Sequence, residues 1–267
     1  LSLTSTQTAA QIDSLLSRGI STAATGKALA LADGTSMSSA VGNQLAKLAD
    51  NYTKIRAVPV GGITGSIAIN SGLTSTQITN LVGRVFTGSS FTGSTAVVFN
   101  AAGMSDSQLA SLAGAVTTLG VGIVDINSLT VTASQSSTQL ELLLSAANTG
   151  QATVVATGMT SAQLSELSTN SPAITSITGV VNIDSSVDPA AIAVIMNTSV
   201  SSGANVNVNP TGFDDAQQQA YNTALAVQAL FHVTDQASGT AGHTYVKANE
   251  TFTIYVRAEN LPTSGPR

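Results

Sequence analysis

Short apolar runs alternate with amphipathic segments along most of this 267-residue chain. The runs are Ile67-Ala-Ile-Asn70, Val97-Val-Phe-Asn100, Val124-Asp-Ile-Asn127, Val154-Val-Ala-Thr157, Val181-Asn-Ile-Asp184 and Val206-Asn-Val-Asn209. They are rich in β-branched residues and close on a small polar residue, the pattern of a short strand entering a turn. Ala30-Leu-Ala-Asp33 is a divergent first member. Each run is followed by a segment whose apolar residues recur at helical spacing, such as Leu81, Leu112, Leu143, Leu167 and Ile195.

The helix starts are written in the sequence. Thr74, Ser105, Ser136, Thr160, Asp188 and Asp214 stand where a side-chain oxygen can accept an otherwise unpaired backbone N–H. In five of the six a Gln follows three residues on (Gln77, Gln108, Gln139, Gln163, Gln217) and can return a bond to the N–H of the capping residue. Leu73, Met104, Met159 and Val187, just before the cap, pair with Ile78, Leu109, Leu164 and Ile192 as hydrophobic staples. Pro189 falls at a first helical position, where its missing N–H costs nothing.

These segments are copies of one another. Anchors at Gln11, Gln44, Gln77, Gln108, Gln139, Gln163, Ala191 and Gln217 are separated by 33, 33, 31, 31, 24, 28 and 26 residues. One strand and one helix per copy predict an α/β fold, a right-handed parallel strand–helix solenoid over residues 1–230. Stacked strand ends would bring Asn and Asp residues into a ladder between copies about 4.8 Å apart. A strand, an Asn near its end and then a helix resembles the leucine-rich-repeat class in architecture. The Leu-x-x-Leu-x-Leu-x-x-Asn string of that class is missing, so no ligand-binding residues follow from it.

Residues 231–267 have a different pattern. His232 to Gly242 reads as a linker. Thr244–Val246 and Thr251–Ala258, joined near Ala248-Asn-Glu250, alternate apolar and polar and predict a β-hairpin or the start of a small β domain. Asn249-Glu-Thr-Phe-Thr-Ile-Tyr-Val256 resembles an early strand of bacterial Ig-like or cadherin-like surface domains. Leu1 is not an initiator Met and Gly265-Pro266-Arg267 closes the sequence, which points to a fragment or a processed chain.

Composition changes the picture in one respect. Charged residues make up 9%, while Ser and Thr together number 69 and take the surface positions that charges normally fill. This palette is similar to that of secreted bacterial surface-layer and large adhesin proteins. The nine Lys and Arg are scattered and the net charge is −5, so no basic stripe is present to neutralise phosphates and nucleic acid is not an expected partner. No apolar run reaches the roughly 18 residues of a membrane span. The chain has no Cys, which excludes disulfides and thiolate metal sites.

Candidate chemistry is sparse. His232 and His243 are the two histidines, and linker and strand-edge roles account for them. Asp214 and Asp215 are adjacent carboxylates, but they stand at a helix start, where a cap and a dipole partner are expected. Asp125 and Asp184 lie on strand segments and are the candidates for Ca²⁺ with backbone carbonyls, against a plain role as turn and ladder residues. Sequons at Asn51, Asn197 and Asn249 are no more than the composition produces. The sequence thus assigns no catalytic, cofactor or metal site. It predicts a non-catalytic, extracellular structural segment that self-assembles or spaces neighbouring domains. The alternative is a solenoid that binds a carbohydrate, such as cell-surface polysaccharide, or a receptor.

Overall fold

The computed structural model describes residues 2–18, 29–31, 43–55, 60–63, 66–86, 97–229, 233–234 and 243–244. Over these residues the protein is a mixed α/β structure whose strands lie in small, mostly parallel sheets. The first elements are β1 (Ser2–Leu3), α1 (Ala9–Ser17), β2 (Leu29–Leu31), α2 (Gln44–Asp50), α3 (Tyr52–Ile55) and β3 (Val60–Ile63). The middle of the chain supplies β4 (Ile67–Ile69), α4 (Ser75–Asn80), β5 (Val97–Asn100), α5 (Asp106–Leu119), β6 (Val124–Asn127), β7 (Leu129–Val131), α6 (Ser137–Ala146) and β8 (Ala152–Val155). Then come α7 (Ser161–Thr169), β9 (Ile174–Thr178), β10 (Val180–Ile183), α8 (Pro189–Ser202), β11 (Asn205–Val208), α9 (Asp215–Ala229), β12 (Val233–Thr234) and β13 (His243–Thr244). A six-residue π-helical stretch, Leu81–Phe86, continues α4.

Strand follows strand in chain order: β1-β2-β3, β4-β5-β6, β7-β8-β9 and β10-β11. All these pairs are parallel. The register lines up apolar rows. Ile67, Val97 and Val124 are partners across one sheet, as are Ile69, Phe99 and Ile126, and all six side chains are buried. Val131, Val154 and Ile177 repeat the row in the next sheet, again buried. Because successive strand residues point to opposite faces, Ala68, Val98 and Asp125 share the other face and are exposed or half-buried. The helices cover the apolar face, each packing on the next from α4 to α9.

The predicted caps are present. Thr74, Ser105, Ser136 and Thr160 each form a reciprocal capping box with the Gln three residues on, and Thr8 does so with Gln11. Asp214 and Gln217 make the same pair of bonds. Asp188 caps Ala190 N–H at 2.8 Å; Ala191 has no amide to return. The staple residues Leu73, Ile78, Leu109, Leu164, Val187 and Ile192 are buried, and Met104 and Met159 pack partly buried against the core.

Five strand readings shift, with Ala30–Asp33 becoming Leu29–Leu31 and Ile67–Asn70 becoming Ile67–Ile69. Val154–Thr157 becomes Ala152–Val155, Val181–Asp184 becomes Val180–Ile183, and Val206–Asn209 becomes Asn205–Val208. In the last four the polar residue turns the chain instead of extending the ladder. Two half-strands were not foreseen. β6 and β7 are one run broken at Ser128, and β9 and β10 are one run broken at Gly179. Both residues are left-handed, with φ of 53° and 81°. At each break the chain leaves one sheet and enters the next. Within the stretch read as a linker, Val233–Thr234 pairs antiparallel with His243–Thr244. The predicted hairpin at 244–258 lies outside the described residues beyond Thr244.

Candidate functional site

The contacts that join successive strand–helix units centre on Gln side chains. In the capping box the Gln oxygen is committed to the cap N–H, which leaves its amide N–H₂ free to donate elsewhere. Gln108 Nε2 reaches back to the carbonyls of Ser71 and Leu73 at 3.1 and 2.5 Å. Gln163 Nε2 reaches Ala133 O and Gln135 O at 3.1 and 2.5 Å. Gln217 Nε2 reaches Ser185 O and Val187 O at 3.0 and 2.7 Å. Gln44 Nε2 makes the equivalent pair with Ser5 O and Gln7 O. Each amide therefore satisfies two turn carbonyls in the unit before its own. The recurring Gln was legible as a cap residue; its second role depends on a neighbour 28 to 39 residues away.

The polar residues at the strand ends do not stack into one continuous ladder: Asn127, Thr157 and Asp184 each accept a bond from a residue 21 to 23 positions away, and the other three do not. Asn70 Oδ1 accepts from Gly72 N–H at 2.9 Å, Asn100 Oδ1 from Ala102 N–H at 3.2 Å, and Asn209 Oδ1 from Thr211 N–H at 3.2 Å. Each closes its own turn two residues on, and all three side chains are exposed. Two amide pairs join neighbouring units, one of them at the strand-end residue Asn127. Asn207 Nδ2 donates to Asn182 Oδ1 at 3.1 Å, and Asn148 Nδ2 to Asn127 Oδ1 at 2.9 Å.

Asp184 accepts from Ser186 N–H at 2.9 Å, from the Ser186 hydroxyl, and from Ser161 Oγ at 3.4 Å. The Ser186 hydroxyl bond, then the backbone bond, holds its carboxyl below the usual carboxylate range. Asp125 lies in β6 and Asp184 follows β10, two strands of different sheets, so the structure does not bring this Ca²⁺ pair together. Among the described residues no three His, Asp or Glu side chains cluster as metal ligands would. Asp214 is committed to its cap. His243 lies in β13, and His232 is outside the described residues. No helix among the described residues is long and apolar enough to cross a membrane.

The sheet face opposite the helices carries hydroxyls. Thr130 and Thr153 are register partners, as are Thr153 and Ser176, and Ser176 Oγ bonds Thr153 Oγ1 at 3.2 Å. Beside this row is a shallow hollow of about 300 Å³ bordered by Ser128, Gly150, Gln151 and Thr175. Ser128 N–H donates to Gln151 Oε1 at 3.2 Å, and the Thr175 hydroxyl donates to Gly150 O. The half-strand Leu129–Val131 that builds this face was missed in the sequence; its Leu-Thr-Val alternation was the available signal. Comparison with family models, curated proteins and solved structures returns no match to this chain.

Proposed function

We propose that the chain is a non-catalytic structural segment of an extracellular surface-layer or adhesin-type protein. In this reading its units form a right-handed α/β solenoid that spaces or assembles neighbouring modules. The observation that supports it is the unit-to-unit joint: parallel strands in chain order, with the Gln amides of four helices each bonded to two carbonyls of the unit before. Such a joint can be repeated without limit, and each unit needs only its neighbours. Parallel strands joined by a crossing helix favour the right-handed sense. A surface of hydroxyls and amides with little charge lets copies pack closely without strong repulsion. Immunogold labelling of intact and broken producing cells tests the reading. Label on the outside of intact cells is expected; label confined to the interior of broken cells would overturn it.

The hydroxyl row Thr130–Thr153–Ser176 and its adjoining hollow support a second reading, a carbohydrate-binding face. A glycan array probed with the parent and with Thr153→Val distinguishes the two. Binding lost in Thr153→Val favours the second reading, and no binding by the parent removes it.

A further inference from the structure

Three alternations in the molecule fall on the same units. The first is the amide staple. Gln44, Gln108, Gln163 and Gln217, on α2, α5, α7 and α9, each bond two backbone carbonyls of the preceding unit. These four side chains are buried, with Gln163 at 7% exposure and Gln217 at 5%. Gln11 is exposed, and Gln77 and Gln139 are half-buried. Gln77 Nε2 instead meets the Asp50 carboxylate at 3.0 Å in an exposed contact, and Gln139 serves its own cap. The second alternation is the strand break. Ser128 and Gly179 precede the units of α6 and α8 and divide each strand between two sheets, whereas β5 and β8 are unbroken and pair on both sides. The third is turn length, which follows the alternation at six units but not at α7, where the polar residue Thr157 stands three before Thr160. Four residues separate the turn-closing side chain from the cap in Thr4–Thr8, Asn70–Thr74, Thr132–Ser136 and Asp184–Asp188; five separate them in Asn100–Ser105 and Asn209–Asp214.

We infer that the fold is built, and opens, in blocks of two units: α1 with α2, α4 with α5, α6 with α7, and α8 with α9. Inside a block a buried amide would leave two carbonyls and its own N–H₂ unpaired on separation, which makes opening within a block costly. Between blocks, Gln77 with Asp50 and Gln135 with Asp106 (2.9 Å) put an amide on a carboxylate. Gln135 is itself buried, but its acceptor Asp106 is exposed, so water solvates the carboxylate once the contact parts. Strand ladders cross both kinds of joint. The left-handed residue inside the divided strand nevertheless lets the half that pairs backward part while the half that pairs forward stays in place. Ser128 and Gly179 are thus the hinges between blocks. This holds whether or not the chain is a surface spacer; in a spacer it means extension block by block under load.

Amide hydrogen exchange on the full chain tests it, comparing the parent with Gln163→Glu and Gln139→Glu. Glutamate keeps the oxygen that accepts the cap N–H but turns a second oxygen toward the Ala133 and Gln135 carbonyls, so the staple is lost and replaced by repulsion while the cap is kept. In Gln163→Glu, exchange in both α6 and α7 is expected to accelerate about tenfold or more, with α5 and α8 unchanged. Gln139→Glu is expected to match the parent. Acceleration confined to α7, or spreading equally into α5 and α8, would overturn the block. Should Gln163→Glu fail to fold, the parent in mild denaturant decides. A shared opening of α6 and α7, distinct from those of α5 and α8, supports the inference; separate openings of α6 and α7 overturn it.

Discussion

Thr160 and Gln163 hold each other by crossed bonds: Thr160 Oγ1 accepts the Gln163 N–H at 3.3 Å, and Gln163 Oε1 accepts the Thr160 N–H at 2.7 Å. The same crossing recurs at Thr8, Thr74, Ser105, Ser136 and Asp214. Thr160→Ala removes one bond of the pair and is expected to lower unfolding free energy by about 1 kcal/mol. Thr160→Ser should be nearly neutral. Denaturant unfolding measures both, and an unchanged midpoint for Thr160→Ala would contradict the assigned helix start.

The capping boxes were legible because they are local. Side chain and target lie three residues apart, so Ser, Thr or Asp followed by Gln suffices to place five helix starts within a residue. The strands were legible in kind, and their ends in four cases were not, because the polar closing residue turns out of the ladder. Leu129–Val131 and Ile174–Thr178 were missed for a different reason. Their pairing partners lie more than 20 residues away, and Ser128 and Gly179 between the halves read as ordinary loop residues. The joint between units was invisible for the same cause. Nothing near Gln163 shows that its amide will meet the carbonyls of Ala133 and Gln135.

Asn100 closes its own exposed turn through Ala102 N–H. Asn100→Leu is therefore expected to cost no more than about 1 kcal/mol, since the freed N–H can turn to water. A ladder between units would have made the loss larger. Thermal unfolding of the variant checks this, and a cost of several kcal/mol would mean that Asn100 has a role beyond its turn.

Gly179 has φ of 81°, and a Cβ there would fall inside contact distance of Thr157 Oγ1. That hydroxyl accepts the Val180 N–H at 2.9 Å. Gly179→Ala therefore combines a left-handed alanine with a displaced acceptor, and is expected to destabilise by about 1–3 kcal/mol. Gly114→Ala, in α5 with open space at its Cβ position, should stabilise slightly. The two variants compared by denaturant unfolding separate backbone strain from simple loss of glycine.

Two carboxylates give opposite pH behaviour. Asp184 is held below the usual range by Ser186, so its folded form favours the charged state. Its stabilising contribution is present above the unfolded carboxylate range and disappears as pH falls through its lowered folded value. Glu166 is pushed up by burial and by the nearby charge of Glu141. Its ionised form opposes folding at neutral pH, and that opposition fades as pH falls below its raised value. Glu166→Gln is expected to raise stability at pH 7, and Asp184→Asn to lower it. Unfolding midpoints at pH 7 and across the acid range test both signs.

The register itself is open to direct measurement, because the chain contains no cysteine. Asn182 and Asn207 are parallel partners on neighbouring strands, with their side chains bonded at 3.1 Å. The double variant Asn182→Cys with Asn207→Cys is expected to close a disulfide under mild oxidation, since partnered positions fall within bridging range. Asn182→Cys with Asn205→Cys places the second thiol two residues along the strand and is expected to stay reduced under the same conditions. Efficient closure of the first pair alone confirms that successive units stack in parallel register. Closure of the second pair in preference to the first would contradict the stacking on which the whole account rests.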